Sequence, residues 1–131
     1  MDLGKISVLT HDGTWLPITA PDGTNIGIEF YMVGRDSAEC REATRHAAMN
    51  MRKKRGDISL DESELSNKKA VIACIKDWRD TSRIDNRLQL GEEELVCTFE
   101  NKMLVLEKFP FMLRQADTYI TDDANFFKVS E

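Results

Sequence analysis

The pattern of apolar and polar positions divides the chain into an extended first part and a helical remainder. Short strand-like runs occupy residues 6–9, 15–18 and 26–33. In the third run every second residue is apolar, which favours a strand with one buried face. Pro17 has no backbone N–H to donate, so we expect the second strand to lie at a sheet edge. These runs predict a small antiparallel sheet of two or three strands.

Helical periodicity dominates the rest of the chain. Asp36 and Glu39 have the spacing of a capping box and predict the start of a first helix. That helix is expected to extend to about residue 55, where Gly56 can end it. A second helix is predicted at about 59–78. Its apolar residues recur at helical spacing and should face the core: Val71, Cys74, Ile75 and Trp78.

Two more helices are predicted beyond a polar segment at about 79–96, which we expect to be a loop. Thr98 is a good N-cap for the third helix. Pro110 ends that helix, because proline disfavours helical geometry in the residue before it, and suits the first position of the fourth helix. The fourth helix carries an apolar stripe almost to the last residue: Leu113, Ala116, Ile120, Ala124 and Phe127.

The predicted fold class is α+β and mostly α, with small N-terminal antiparallel strands followed by about four helices. A single domain of residues 1–131 is expected, with a β-rich part at 1–35 and a helical part at 36–131. With 41% hydrophobic and 31% charged residues, the chain has the composition of a soluble globular protein. No segment is typical of a secretion signal or of a membrane span. Three widely spaced cysteines are typical of reduced thiols in a cytoplasm: Cys40, Cys74 and Cys97.

Charge is distributed unevenly along the chain. Residues 1–56 hold eight basic and seven acidic residues, whereas residues 57–131 hold ten basic and sixteen acidic ones. The basic residues are concentrated at 52–55, at the end of the first predicted helix. Such a cluster suits the negative end of a helix dipole. This interpretation needs fewer assumptions than the alternative, in which the cluster binds nucleic acid. The difference in net charge between residues 1–56 and residues 57–131 also favours contacts between copies of the chain.

The residue types that support catalysis do not occur in the required patterns. No Cys-x-x-Cys or His-x3-His pair indicates a metal site, and no phosphate-binding glycine loop is present. No Gly-x-Ser-x-Gly motif indicates a nucleophilic serine. The carboxylate pairs are expected in polar helix caps or loops, where no apolar surroundings would separate their pKa values. We therefore expect a protein that is not an enzyme and that has no cofactor.

Protein binding is the remaining class of function. Three phenylalanines are expected to be exposed: Phe111, Phe126 and Phe127. The last two lie near the end of the sequence, where burial is hard to achieve. Exposed aromatic side chains are suited to adaptable apolar contacts with a partner.

Several of these features occur in a distinctive order. A strand leads into Gly34, Asp36 and Ser37 and then into an arginine-rich helix, and Trp78 precedes a polar segment. The pattern continues through the C-terminal part: Thr98, Glu100, Asn101, Leu104, Leu106, Pro110 and Phe126. Over residues 26–127 this order resembles the tail assembly chaperones of long-tailed bacteriophages.

The resemblance implies a non-catalytic factor that binds the tape measure protein, keeps it soluble and helps to recruit tail tube subunits. It also implies that the protein acts in the host cell cytoplasm and is absent from the mature virion. Many members of the family are also made in a longer, frameshifted form, whose C-terminal extension binds the tube protein. Self-association along the tape measure is expected, and contact with membranes or nucleic acid is not.

The expected roles of individual residues follow from this assignment. The contact residues are expected at Arg52, Lys53, Arg55, Phe126 and Phe127. Other apolar residues are expected to be mainly structural: Trp78, Phe99, Leu106, Phe109 and Phe111. Two alternatives stay open, a small structural or adaptor protein of a phage tail and a nucleic-acid-binding regulator that uses the basic cluster.

Overall fold

The structure is a computed structural model that describes residues 3–8, 13–34, 37–38, 40–42, 45 and 60–129. Apart from helical residues between 38 and 45, whose helix is only partly described, the α-helices are α1 (Leu60–Cys74), α2 (Phe99–Lys108) and α3 (Pro110–Thr121). Its strands are β1 (Ile6–Val8), β2 (Thr14–Thr19), β3 (Asn25–Met32), β4 (Ile75–Asp80), β5 (Gln89–Leu90), β6 (Glu93–Glu94) and β7 (Phe127–Val129). The α+β class is confirmed. The expected order is wrong, because four strands follow α1.

The main sheet is antiparallel and has the strand order β2–β3–β4. The three extended runs predicted from the sequence correspond to β1, β2 and β3, and Pro17 lies in an edge strand as expected. The backbone turns between β2 and β3 at residues 21–23, where Gly23 has a φ of +89°. Local sequence signals therefore predict these three strands but not the pairing of β1, which pairs with β7 in a separate sheet.

The second predicted helix is too long. It ends at Cys74, and the chain passes directly into β4, which supplies the third strand of the sheet. Ile75 lies opposite Met32 and Trp78 opposite Phe30, so β4 has an additional residue between two paired positions. This β-bulge places two core residues three positions apart. The spacing imitates that of a helix, which is why the sequence pattern was misleading.

A lysine side chain stabilises the junction between α1 and β4. The Lys102 ammonium group donates hydrogen bonds to the carbonyl oxygens of Ile75 at 2.9 Å and Ile72 at 3.4 Å. The last carbonyls of a helix have no partner within the helix and carry the negative end of its dipole. Lys102 therefore connects α2 to the C-terminal end of α1, where the chain passes into β4.

The hydrophobic core lies between the helices and one face of the main sheet. It is formed by Ile18, Phe30, Met32, Cys40, Val71, Ile72, Cys74, Ile75, Trp78, Leu106, Met112, Ala116 and Ile120, among others. The predicted structural roles of Trp78 and Leu106 are consistent with their burial, and Phe109 and Phe111 pack partly buried against the core. Phe99 does not, because 48% of its surface is exposed.

The predicted loop at 79–96 contains a short hairpin, β5–β6. Leu88 and Leu95 are buried, and the Leu95 N–H donates to the Leu88 carbonyl at 2.8 Å. The indole Nε1 of Trp78 donates to the Leu95 carbonyl at 2.9 Å. Val96, at the end of the segment, is 60% exposed. The hairpin is thus attached to the core through a buried tryptophan.

The ends of the predicted helices agree in part with the structure. The Thr98 hydroxyl accepts the Asn101 N–H at 3.2 Å, which confirms the N-cap of α2, and Pro110 begins α3. α3 ends at Thr121, so Ala124 and Phe127 do not continue its buried stripe. In the first predicted helix, residues 38, 40–42 and 45 are helical, and the Ser37 hydroxyl accepts the Cys40 N–H at 3.2 Å. The proposed capping box and the basic cluster lie outside the described residues.

Replacing Lys102 by Met should destabilise the fold by about 1–2 kcal/mol, because two carbonyl oxygens at the helix–strand junction lose a charged donor. Urea unfolding monitored by circular dichroism measures this change. Lys69→Met is the matched control, since Lys69 is exposed on α1, and it should leave the midpoint within the experimental error. Equal midpoints for both variants would show that Lys102 does not stabilise the junction.

Candidate protein-binding surfaces

The face of the main sheet that points away from the core carries a cluster of aromatic and charged side chains. Successive side chains of a strand point to opposite faces, so the residues between the core positions form this second face. It includes Trp15 of β2, Glu29 and Tyr31 of β3, and Arg79 of β4. The register places Trp15 opposite Tyr31 and Arg79 opposite Glu29. We call these four residues the sheet platform.

The side chains of the sheet platform hold one another in place. The guanidinium carbon of Arg79 lies 3.8 Å from the centre of the Trp15 ring, and the Trp15 and Tyr31 rings meet edge to face at 4.9 Å. Arg79 also binds one carboxylate oxygen of Glu29, through Nε at 2.7 Å and through a terminal nitrogen at 2.6 Å. A cation over an aromatic face contributes roughly 0.5–1 kcal/mol at exposed sites. The cluster is therefore preorganised.

The sheet platform contains residue types that are frequent in protein interfaces. Trp, Tyr and Arg are the residue types that most often dominate the energy of protein interfaces. All four members are half-buried, so each side chain keeps part of its surface available to a partner. The opposite charges of Arg79 and Glu29 compensate each other, which limits the desolvation cost of covering the cluster.

Some backbone groups at the edges of the main sheet have partners outside the sheet. At β2, the Gln115 amide accepts the Thr19 N–H at 2.9 Å and donates to the Thr19 carbonyl at 2.8 Å. At β4, the Asp80 N–H donates to the Asn86 carbonyl at 3.1 Å, and the Trp78 N–H to the Asp77 carboxylate at 2.8 Å. Backbone groups at both edges thus have partners, as in sheets that avoid pairing with other chains.

Phe126 was expected to be exposed, and this expectation is wrong. Only 7% of its surface is accessible. Its ring lies against Gly34, where an added Cβ would be 3.3 Å from the ring carbons, and meets the Tyr119 ring edge to face at 5.6 Å. The absence of a side chain at Gly34 makes this space, which a local sequence pattern does not reveal. The Phe126 side chain is therefore buried in the interior of the molecule.

The other predicted contact residues have different outcomes. Phe127 is 40% exposed and lies in β7, opposite Val8 of β1. Arg52, Lys53 and Arg55 lie outside the described residues, so their role stays a prediction. The structure therefore separates the two phenylalanines, one inside and one at the surface.

The described part of the chain includes open clefts between the helices and beside the sheet. The first, of about 430 Å³, is formed by α1 with the α2–α3 junction, and the Lys68–Glu107 ion pair at 3.5 Å joins α1 and α2 there. The second, of about 500 Å³, lies along α3 and includes Leu16, Phe111 and Tyr119. Within the described ranges, no group of three or more His, Cys, Asp or Glu side chains is positioned to hold a metal ion. Polar side chains also line both clefts, among them Glu64 in the first and Arg114 and Asp122 in the second.

Sequence reasoning missed the sheet platform for two reasons. Trp15 was assigned to the second strand-like run but to no face of a sheet, although the alternation of β3 puts Glu29 and Tyr31 on the face opposite Phe30 and Met32. Arg79 could not be assigned to the same face, because β4 was predicted as a helix and a loop. The missing signal was the pairing of β4 with β3.

No protein-family model matches the chain, and comparison with curated proteins and with solved structures gives no significant match. Among the helices in the described part of the chain, none combines the length and the apolar character needed to cross a membrane.

Cys97 should react slowly with alkylating agents. Burial, with a smaller contribution from Asp77, raises the pKa of its thiol from 9.0 to about 11, against the opposing effect of Lys102. The thiolate is the reactive form, so at pH 8 a shift of this size lowers its population about a hundredfold. Iodoacetamide labelling followed by mass spectrometry measures the rate in the native chain, and the urea-unfolded chain is the control. Similar rates in both states would contradict the raised pKa.

Proposed function

We propose that the protein is a non-catalytic tail assembly chaperone of a long-tailed bacteriophage, which binds the tape measure protein and keeps it soluble. The observation that carries this proposal is the contact between Gly34 and Phe126. These residues belong to opposite ends of the pattern that resembles the chaperone family. Their packing supports the interpretation of that pattern as the framework of one fold rather than as a chance order of residues.

Further residues of the pattern occupy structural positions that agree with this interpretation. Trp78 binds the hairpin to the core, Thr98 caps α2, and Pro110 begins α3. Each has a role in chain geometry, and none lies in a group suited to catalysis. A pattern that specifies a framework is consistent with a protein whose function is binding.

The sheet platform is the proposed contact surface for the tape measure protein. Because groups at both edges of the sheet have partners, a bound segment would contact side chains on the sheet face rather than add a strand. A tape measure protein is long and helical, and a helix can place apolar side chains against Trp15 and Tyr31. The proposed interface is therefore between a helix and a sheet face.

The remaining parts of the proposal follow from the family resemblance. They include self-association along the tape measure, recruitment of tail tube protein through a frameshifted C-terminal extension, action in the host cell cytoplasm and absence from the mature virion. Arg52, Lys53, Arg55 and Phe127 are retained as further contact residues. The chain is proposed to act as a single domain of residues 1–131 in which helix predominates.

Co-expression with the tape measure protein encoded by the same phage genome tests the function. The tape measure protein should become soluble and co-purify with the wild-type chain. Trp15→Ala should weaken the complex at least about tenfold, since a central aromatic residue of an interface contributes about 2 kcal/mol. Phe99→Ala is the matched control, because it removes an exposed aromatic residue outside the sheet platform.

Two results separate the function from the surface. A tape measure protein that stays insoluble and does not co-purify with the wild-type chain would contradict the chaperone function. A complex that forms equally well with wild type and Trp15→Ala, each verified as folded by circular dichroism, would contradict only the role of the sheet platform.

A further inference from the structure

Residues 122–129, here called the C-terminal segment, are held on the rest of the molecule by three kinds of contact. Phe126 fills the space beside Gly34 and Tyr119. The side-chain amide of Asn125 donates to the Tyr119 carbonyl at 2.9 Å. β7 pairs with β1 in an antiparallel two-stranded sheet. The C-terminal segment therefore binds to the rest of the molecule through one buried residue, Phe126, and one strand, β7.

The receiving site for Phe126 is built by residues outside the C-terminal segment. Gly34 provides the space, and Tyr119 provides an aromatic wall whose hydroxyl group is hydrogen-bonded to the Thr14 hydroxyl. This hydrogen bond connects the last turns of α3 to the start of β2. The site can thus keep its shape when the C-terminal segment that fills it comes from another molecule.

The strand contact of the segment is separate from the main sheet. β1 and β7 pair with each other, whereas β2, β3 and β4 form a different sheet. A two-stranded sheet is only marginally stable by itself in water. The segment is joined to α3 at Asp122, which has an extended backbone with φ −94° and ψ 103°. A change of backbone direction at this one position would carry the whole segment away from the body.

We infer that the C-terminal segment exchanges between copies of the chain, so that Phe126 and β7 of one copy occupy the Gly34–Tyr119 site and pair with β1 of another. Every contact made within one molecule is then made again between two. Exchange of an identical element requires no new complementary surface and is a low-cost route to association. The partner is a second copy of this chain, because its C-terminal segment is the occupant that the site already fits. The inference is independent of the tape measure interaction.

Cysteine cross-linking between β1 and β7 tests the exchange, because Ser7 and Lys128 are direct partners in the register. One tagged chain carries Ser7→Cys, a differently tagged chain carries Lys128→Cys, and the two are co-expressed and oxidised. A disulfide-linked dimer that contains both tags is expected. The double variant in a single chain shows the bridge formed within one molecule. The control pair is Ser7→Cys with Thr121→Cys, since Thr121 is exposed and precedes the C-terminal segment, and it should give no such dimer.

Absence of the mixed dimer overturns the inference, whether or not the double variant forms its internal bridge. A second variant tests the anchor. Phe126→Ala, added to the chain with Lys128→Cys, should reduce the yield of mixed dimer at least tenfold, whereas Phe99→Ala in the same chain should not change it. An unchanged yield with Phe126→Ala would also overturn the inference. Binding to the tape measure protein is measured separately, so either idea can fail alone.

Discussion

β4 joins β3 with Trp78 opposite Phe30, and this register determines where both the core and the sheet platform lie. The Phe30 and Trp78 rings are 6.0 Å apart on the buried face. The next residue, Arg79, consequently points to the other face, where it meets Trp15 and Glu29. The β-bulge in β4 makes the register possible, because it lets Ile75 and Trp78 enter the same core. A regular strand would place one of them on the outer face.

The parts of the fold that could be predicted are those with local signals. Alternation predicted β3, and the Thr98 cap and the Pro110 break were identified because their geometry is encoded within a few residues. The strand β4 and the burial of Phe126 depend on partners far along the chain. Short-range periodicity predicted a helix at the position of β4, since the β-bulge imitates helical spacing. The same periodicity carries no information about the burial of Phe126, since the space for its ring is beside Gly34.

The same distinction applies to the candidate site. Aromatic residues were expected at a docking surface, and the structure places Trp15 and Tyr31 together on the sheet face and Phe126 inside. Some backbone groups at the sheet edges have partners, whereas the sheet face carries half-buried aromatic side chains. The hydrogen bonds of Gln115 to Thr19 make pairing with a foreign strand less favourable, while the face stays available for side-chain contacts.

The most direct test of the account uses the fluorescence of Trp15. The chain has two tryptophans, so Trp78→Phe leaves Trp15 as the only indole and keeps an aromatic ring beside Phe30. A tape measure fragment is titrated into this variant, and binding is followed independently by size-exclusion chromatography. We predict a saturable shift of Trp15 emission to shorter wavelength, because the half-exposed indole becomes covered. Binding without any change in Trp15 emission would contradict the claim that the sheet platform receives the partner.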